Sequence, residues 1–217
     1  VNSVFSDVYK KYDFMNDIMS FGIHRFWKER FVVWMNPQQN TKLIDVASGT
    51  GDIARLYLNK LNNCGNVTCI EPNIKMLNQG KKKLKNLSSI KWINSSAEYL
   101  PVNDNTYDYY TISFGIRNVT DINSTLKEAF RVLKPGGRFM CLEFSKINNE
   151  LLKFVYKQYS KTIPLIGKLV VGSEKPYKYL TDSIEKFYNQ KDLAKLLNNN
   201  GFSNIEYRDL SNGIASI

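Results

Sequence analysis

Lys42-Leu43-Ile44-Asp45-Val46-Ala47-Ser48-Gly49-Thr50-Gly51-Asp52 is the stretch that decides the fold. Its first half is a short apolar run with β-branched members, the pattern of a strand buried on both faces of a parallel sheet. Its second half is punctuated by glycines, which allow unusual backbone angles and let the main chain approach a ligand closely. Residues 53–61 then read as a helix. A strand that turns through glycines into a helix is the opening unit of an open α/β sheet, and such sheets bind ligands beyond the carboxyl ends of their strands.

The alternation continues outward from this unit. Strands are predicted at 66–70, 90–93, 107–113 and 138–144, and helices at 74–87 and 122–133. Lys134-Pro135-Gly136-Gly137 stops the last of these helices and turns the chain. A helix at 192–200, capped by Gly201, precedes two strands at 205–210 and 213–217 around Ser211-Asn212. The prediction is an α/β fold: a Rossmann-like sheet of seven strands with helices on both faces, in one domain spanning 1–217. Residues 4–35 read as helical, and 1–36 are expected to form an N-terminal lid. Residues 147–190 interrupt the alternation with a Tyr- and Lys-rich stretch, read as a helical insertion that shapes the substrate pocket.

Composition narrows the function. The 217 residues are 43% hydrophobic, enough for a sizeable core, and no run of 18 apolar residues marks a membrane span. The chain opens on Val1 with no apolar signal core after it, and its ends read as trimmed. Three cysteines without metal-like spacing point to a reducing compartment. The formal charge of +10 fits a solvated lysine-rich surface, or a basic surface that keeps the protein near anionic lipid or nucleic acid. Without zinc-finger spacing or an aromatic–basic RNA motif, no nucleic-acid partner is expected. No metal cluster appears.

The ligand of the glycine turn is read from three further features. Glu71 ends the second strand, where an acid can accept hydrogen bonds from both hydroxyls of a ribose; alternatively it is a helix-entry residue before Pro72. Gly49 and Gly51 are followed by Ala54, so the third glycine of a dinucleotide fingerprint is absent, although alanine is tolerated there. Asp45 lies inside the strand, four residues before Gly49, where an acid meets the cationic methionine end of S-adenosylmethionine. Ser96 and Ala97, after the third strand, fall where an adenine would lie, Ala97 against the ring; a plain loop is the alternative. Methyl transfer is favoured over hydride transfer on Asp45.

The sequence also resembles a known family, the ubiquinone/menaquinone biosynthesis C-methyltransferases, almost end to end. Ser20-Phe21-Gly22-Ile23-His24-Arg25-Phe26-Trp27-Lys28 matches it, and the diagnostic segments are Tyr12-Asp13-Phe14-Met15-Asn16-Asp17 and Phe114-Gly115-Ile116-Arg117-Asn118-Val119. The glycine turn and Leu133-Lys134-Pro135-Gly136-Gly137 are shared with many methyltransferases. The resemblance implies methyl transfer from S-adenosylmethionine to a ring carbon of a 2-polyprenyl-6-methoxy-1,4-benzoquinol, with demethylmenaquinol a further acceptor of related bacterial enzymes. It carries cofactor contacts onto Thr50, Glu71, Ser96, Ala97 and Ser113. The family more often has Asp at 71, Asn at 96 and Pro at 188, and it has a terminal His-containing segment after the last residue here.

A phenol is mostly protonated near pH 7, so its ring carbon needs help to become a nucleophile. Arg117, placed by the resemblance near the reactive methyl, is expected to stabilise the phenolate, directly or through water. Asn118 is expected to position a ring oxygen, and Tyr12 to hydrogen-bond the substrate or relay its proton. Taken without the resemblance, Arg117 reads as a surface salt bridge and Tyr12 as a core aromatic. His24, the only histidine, reads as structural. The expected partners are the polyprenyl benzoquinol, a membrane surface touched peripherally, a quinone-biosynthesis complex and a second copy of the chain. Phe154, Tyr156 and Tyr159 line the pocket, meet the membrane, pack on the sheet or form a dimer contact. The implied place is the matrix side of the mitochondrial inner membrane in a eukaryote, or the cytoplasm in a bacterium. Three other functions fit the same residues: a methyltransferase for a different phenolic or sterol acceptor, a non-catalytic scaffold that binds the cofactor, and a nucleic-acid methyltransferase. The last lacks the usual Asn-Pro-Pro-Tyr-type motif.

Overall fold

The computed structural model describes residues 20, 22–147, 149–151, 153–156, 158, 159, 162 and 175–217. Tyr12, the first 19 residues of the expected lid and part of the 147–190 insertion lie outside the described residues.

Strand β1 (Lys42–Val46) is an inner strand of a seven-stranded sheet ordered β3-β2-β1-β4-β5-β7-β6. β2 (Asn66–Ile70), β3 (Ile90–Ile93), β4 (Tyr107–Ser113) and β5 (Leu133–Phe144) run parallel to it, and β7 (Ala215–Ser216) is antiparallel to both β5 and β6 (Asp209–Leu210). The order reverses between β1 and β4, so the crevice beyond their carboxyl ends is the switch point where such sheets receive ligands.

Helices α1 (His24–Met35), α2 (Asp52–Lys60), α3 (Ile74–Lys83), α4 (Ile122–Val132), α5 (Lys175–Lys186) and α6 (Gln190–Asn199) flank the sheet. Two apolar clusters result. One joins Trp27, Phe31 and Met35 of α1 to Leu43, Tyr57 and Leu58. The other joins Ile44, Val46, Tyr110 and Ile112 to Leu126, Ala129 and Val132 of α4. Neighbouring residues of β1 thus feed opposite clusters, which is why its apolar run has no polar alternation. Asn73, Asp121 and Asn189 accept from backbone N–H groups in the first turns of α3, α4 and α6, as N-caps do.

Two predicted boundaries are corrected. The helix α4 ends at Val132, and β5 begins at Leu133, opposite Tyr107. Lys134–Gly137 is therefore an excursion within the strand, allowed by Gly136 at φ +78°, before pairing resumes at Tyr109 and Arg138. The predicted strand 205–210 shrinks to Asp209–Leu210, because Ser211–Gly213 forms a 3₁₀ turn with Asn212 at φ +56°.

Gly80 is a position where a methyl group does not fit. A Cβ there would lie 2.4 Å and 2.7 Å from ring atoms of Trp92. In an exposed helix Gly→Ala stabilises by about 1 kcal/mol. Here overpacking reverses the sign, and Gly80→Ala is expected to destabilise by about 1–3 kcal/mol in urea unfolding.

Candidate active site

The carboxyl ends of β1, β4 and β5 form one rim, and the backbone there is strained. Ala47 and Phe114, the residues just after β1 and β4, hold φ of +52° and +54°, and Gly49 and Gly51 hold +58° and +84°. Left-handed backbone at a non-glycine residue is unfavourable and collects at functional sites. Gly115 is needed for the approach of the two turns, since its Cβ would come within 2.6 Å of Ala47 Cβ.

A cleft opens on this rim. It is lined by Lys28, Asp45, Ser48, Gly49, Thr50, Asp52, Ser113 and Phe114, among others. A larger cavity, of about 730 Å³, runs along β5 and α6 and is lined by Phe139, Phe187 and Phe202 but by no residue of the glycine turn. We place the chemistry at the smaller cleft. It holds the unsatisfied atoms Asp45 Oδ2, Ser48 Oγ and Ser113 Oγ together with the strained turns, and volume alone does not make an active site.

Asp45 is buried. Its Oδ1 accepts a hydrogen bond from Thr111 Oγ1 at 2.8 Å, while Oδ2 has no partner among the described residues. Burial raises its pKa to about 7, against the Thr111 hydrogen bond and the positive charge of Lys28. Ser113 Oγ is likewise buried without a partner. Leaving such groups unsatisfied costs about 1–3 kcal/mol each, so a polar ligand is called for. A methionine ammonium suits Asp45 in charge and hydrogen-bonding capacity.

Glu71 is buried at the end of β2 and grips the glycine turn. Its Oε2 accepts from Gly49 N at 2.8 Å and its Oε1 from Asn73 N at 2.9 Å. Burial raises its pKa, against those two backbone hydrogen bonds. Each carboxylate oxygen has a second lone pair, which leaves acceptor capacity for a ribose diol. Asn94 Nδ2 donates to the carbonyls of Glu71 and Pro72 at 2.7 Å and 3.0 Å and so fixes this corner. Ser96 is half-buried beyond β3, and Ala97 packs with Ile70 in the second cluster, but neither lines the cleft around Asp45. Thr50 does line it, and its Oγ1 accepts from Lys83 Nζ at 3.2 Å.

Arg117 and Asn118 lie in a 3₁₀ turn, Ile116–Asn118, just after β4. Arg117 is not a surface residue: its side chain is 2% exposed and pairs with Glu143 of β5, 3% exposed, at 2.5 Å. Its Nη1 also donates to Phe114 O at 3.0 Å, and its Nε has no partner among the described residues. Burial raises the pKa of Glu143, against the charge of Arg117. Asn118 Oδ1 accepts from the Tyr179 hydroxyl at 3.0 Å, which turns its amide N–H₂ away from Tyr179. His24 is buried against Ser20, with Nδ1 3.1 Å from its hydroxyl, as a structural histidine.

The structure therefore gathers Asp45, Gly49, Thr50 and Ser113 around one cleft, with Gly51 turned toward Leu84 and Trp92 outside its lining, Glu71 behind the turn and Arg117 and Asn118 at the end of β4. Sequence reading missed Glu143, Asn94, Tyr179 and the Lys28–Asp52 contact. The sequence model of the ubiE/COQ5 methyltransferase family matches residues 1–217.

The chain belongs to the ubiE/COQ5 methyltransferase family.

Over its whole length it is 50% identical to the ubiquinone/menaquinone biosynthesis C-methyltransferase UbiE of Rickettsia bellii, covering 90% of that protein. It is 43% identical to the mitochondrial 2-methoxy-6-polyprenyl-1,4-benzoquinol methylase of Dictyostelium discoideum, covering 79% of it. Among solved structures, a SAM-dependent methyltransferase of Thermotoga maritima aligns with a TM-score of 0.67 at 19% identity, over 99% of this chain and 95% of that one. That likeness shows the fold. The chain is a methyltransferase, and its cofactor is S-adenosylmethionine.

Proposed function

We propose that this family member methylates a ring carbon of a 2-polyprenyl-6-methoxy-1,4-benzoquinol on the way to ubiquinone. The observation that carries the reading is the buried Arg117–Glu143 pair beside the cofactor cleft, in a chain alike end to end to a bacterial and a mitochondrial quinone methylase.

S-adenosylmethionine, when bound, supplies an electrophilic methyl group. The residues of the chain do the rest. Asp45 and Glu71 hold the two ends of the cofactor, Thr50 and Ser113 line its path, and Ala97 and Ser96 face the adenine. A guanidinium stays charged at any physiological pH, so Arg117 stabilises a phenolate rather than taking its proton. Glu143 fixes the plane of that guanidinium through Nη1 and leaves Nε as a donor. Asn118, its amide oriented by Tyr179, donates to a ring oxygen. Tyr12 hydrogen-bonds the substrate from the N-terminal segment.

The lipid tail explains a surface feature. Leu151, Phe154 and Val155 are exposed by 75%, 61% and 55% on helical residues spaced by three and four, so they share one helix face. No helix among the described residues is long and apolar enough to cross a membrane. This face instead suits shallow insertion between headgroups, beside the exposed Lys153–Glu150 ion pair. The double variant Leu151→Glu/Phe154→Glu is expected to lose most binding to anionic vesicles. Its turnover of a short-tailed quinol in detergent stays within about twofold of the native rate, since surface changes of this kind perturb stability little.

The reading is tested by offering a short-tailed methoxybenzoquinol in detergent with S-adenosylmethionine. The expected product is heavier by one methylene and carries the new methyl on carbon by NMR. An O-methyl product, or none, contradicts it.

A further inference from the structure

Lys28 is a buried lysine that no part of the reaction scheme uses. It stands on α1, outside the strand–turn–helix unit, yet it lines the same cleft as Asp45, Gly49 and Ser113. Its side chain is 9% exposed, and its ammonium donates to Asp52 Oδ2 at 2.8 Å. A second lysine, Lys83, reaches the other oxygen of the same carboxylate at 2.8 Å. Burial alone would raise the pKa of Asp52, but the charges and hydrogen bonds of Lys28 and Lys83 outweigh it and hold that carboxyl well below its usual range.

Lys28 and Lys83 thus share the Asp52 carboxylate at the mouth of the cleft. Asp45 lies close enough for the charge of Lys28 to act on it, and its Oδ2 is unpartnered and buried. An ammonium has three donors, and Asp52 is the one acceptor on Lys28 among the described residues. Among the described residues, one cleft therefore presents an unpartnered carboxylate oxygen on one strand and, on the facing helix, a buried ammonium with donors beyond the one on Asp52. That arrangement is complementary to a zwitterionic α-amino acid, with its ammonium toward Asp45 and its carboxylate toward Lys28.

We infer that Lys28 binds the α-carboxylate of the cofactor's methionine end, so that α1 supplies a cofactor contact absent from the glycine turn and the strands. The inference rests on the cofactor reading above and adds to it the group that recognises the carboxylate. It also ties the N-terminal segment to the cofactor: α1 is held over the cleft by Lys28 on Asp52, and a bound carboxylate adds a second tie.

The test separates this contact from the rest of the cofactor. S-adenosylmethionine and its decarboxylated form share the adenosine, the sulfonium and the amine, and differ by the carboxylate alone. Calorimetric titration of the native protein is expected to show tighter binding of the intact cofactor by about tenfold to a hundredfold, the size of a charge-assisted hydrogen bond. In Lys28→Met that gap closes: affinity for S-adenosylmethionine falls by that factor more than affinity for the decarboxylated compound, whose own smaller loss reports the missing charge beside Asp45. Lys28→Arg restores most of the gap. Equal weakening of both ligands in Lys28→Met, or a gap that survives it, overturns the inference and leaves Lys28 a structural partner of Asp52. Failure of both compounds to bind the native protein overturns the cofactor site itself. Thermal unfolding of each variant shows that it is folded at the titration temperature.

Discussion

Arg117→Ala is expected to lower kcat by about a hundredfold to a thousandfold, the usual cost of removing one preorganised stabiliser of developing negative charge. It also destabilises the protein. The guanidinium and Glu143 are 2% and 3% exposed, so deleting one partner leaves an uncompensated charge in the interior, at a cost of about 3–5 kcal/mol. Glu143 meets part of that cost by taking up a proton, since burial already raises its pKa. The single variant therefore mixes a chemical and a structural effect, and the double variant Arg117→Met/Glu143→Leu separates them. Replacing both members of a buried pair by apolar groups of similar size is often neutral or stabilising. The double variant should melt at or above the native temperature, bind S-adenosylmethionine within a few-fold of native, and still fail to methylate the quinol. Recovered turnover would show that the pair serves packing alone.

Asp45→Asn is expected to make the ligand-free protein more stable and the cofactor site worse. The carboxyl has a pKa of about 7 folded, against an ordinary value of 3.8. Below pH ~4 it is neutral in both states and costs nothing. As pH rises from ~4 to ~7, the unfolded chain releases its proton first, so stability declines across that window and stays lowered above it. Asparagine keeps an oxygen for Thr111 and removes the charge, for a gain of roughly 1–2 kcal/mol near pH 7, or about 3–6 °C in melting temperature. The same change removes the partner of the cofactor's ammonium, and affinity should fall by about tenfold to a hundredfold. Native binding should also weaken as pH falls below ~7, because a protonated Asp45 no longer attracts a cation; the Asn variant lacks that slope. A destabilised Asp45→Asn protein, or one that binds normally, would remove Asp45 from the site.

The legible parts of this molecule are those set by local patterning. β1 to β4 begin and end where their apolar runs do, because a strand covered on both faces has little choice of residue. Asp45 and the glycine turn were readable because their spacing is itself the signal. The short β6 was not: Ile205 and Tyr207 have strand character, but the excursion to Asn212 leaves only two residues paired with β7. Distance in sequence hid the rest. Arg117 and Glu143 are 26 residues apart and meet because β4 and β5 pair in parallel, with Ser113 opposite Leu142. Lys28 and Asp52 meet only because α1 packs against α2, which begins at Asp52. Glu71 was read as a ribose acceptor or as a helix-entry residue before Pro72, and nothing in the sequence showed that its oxygens take the amides of Gly49 and Asn73.

The pocket at the end of β1 is best examined by crystals of the protein grown with S-adenosylhomocysteine. Density for the ligand should lie with its ribose hydroxyls on Glu71, its homocysteine amine on Asp45 Oδ2 and its sulfur toward Ser113 and Arg117. An adenosine seated instead in the cavity along β5 and α6, or a Glu71 carboxylate turned away from the sugar, would contradict the account.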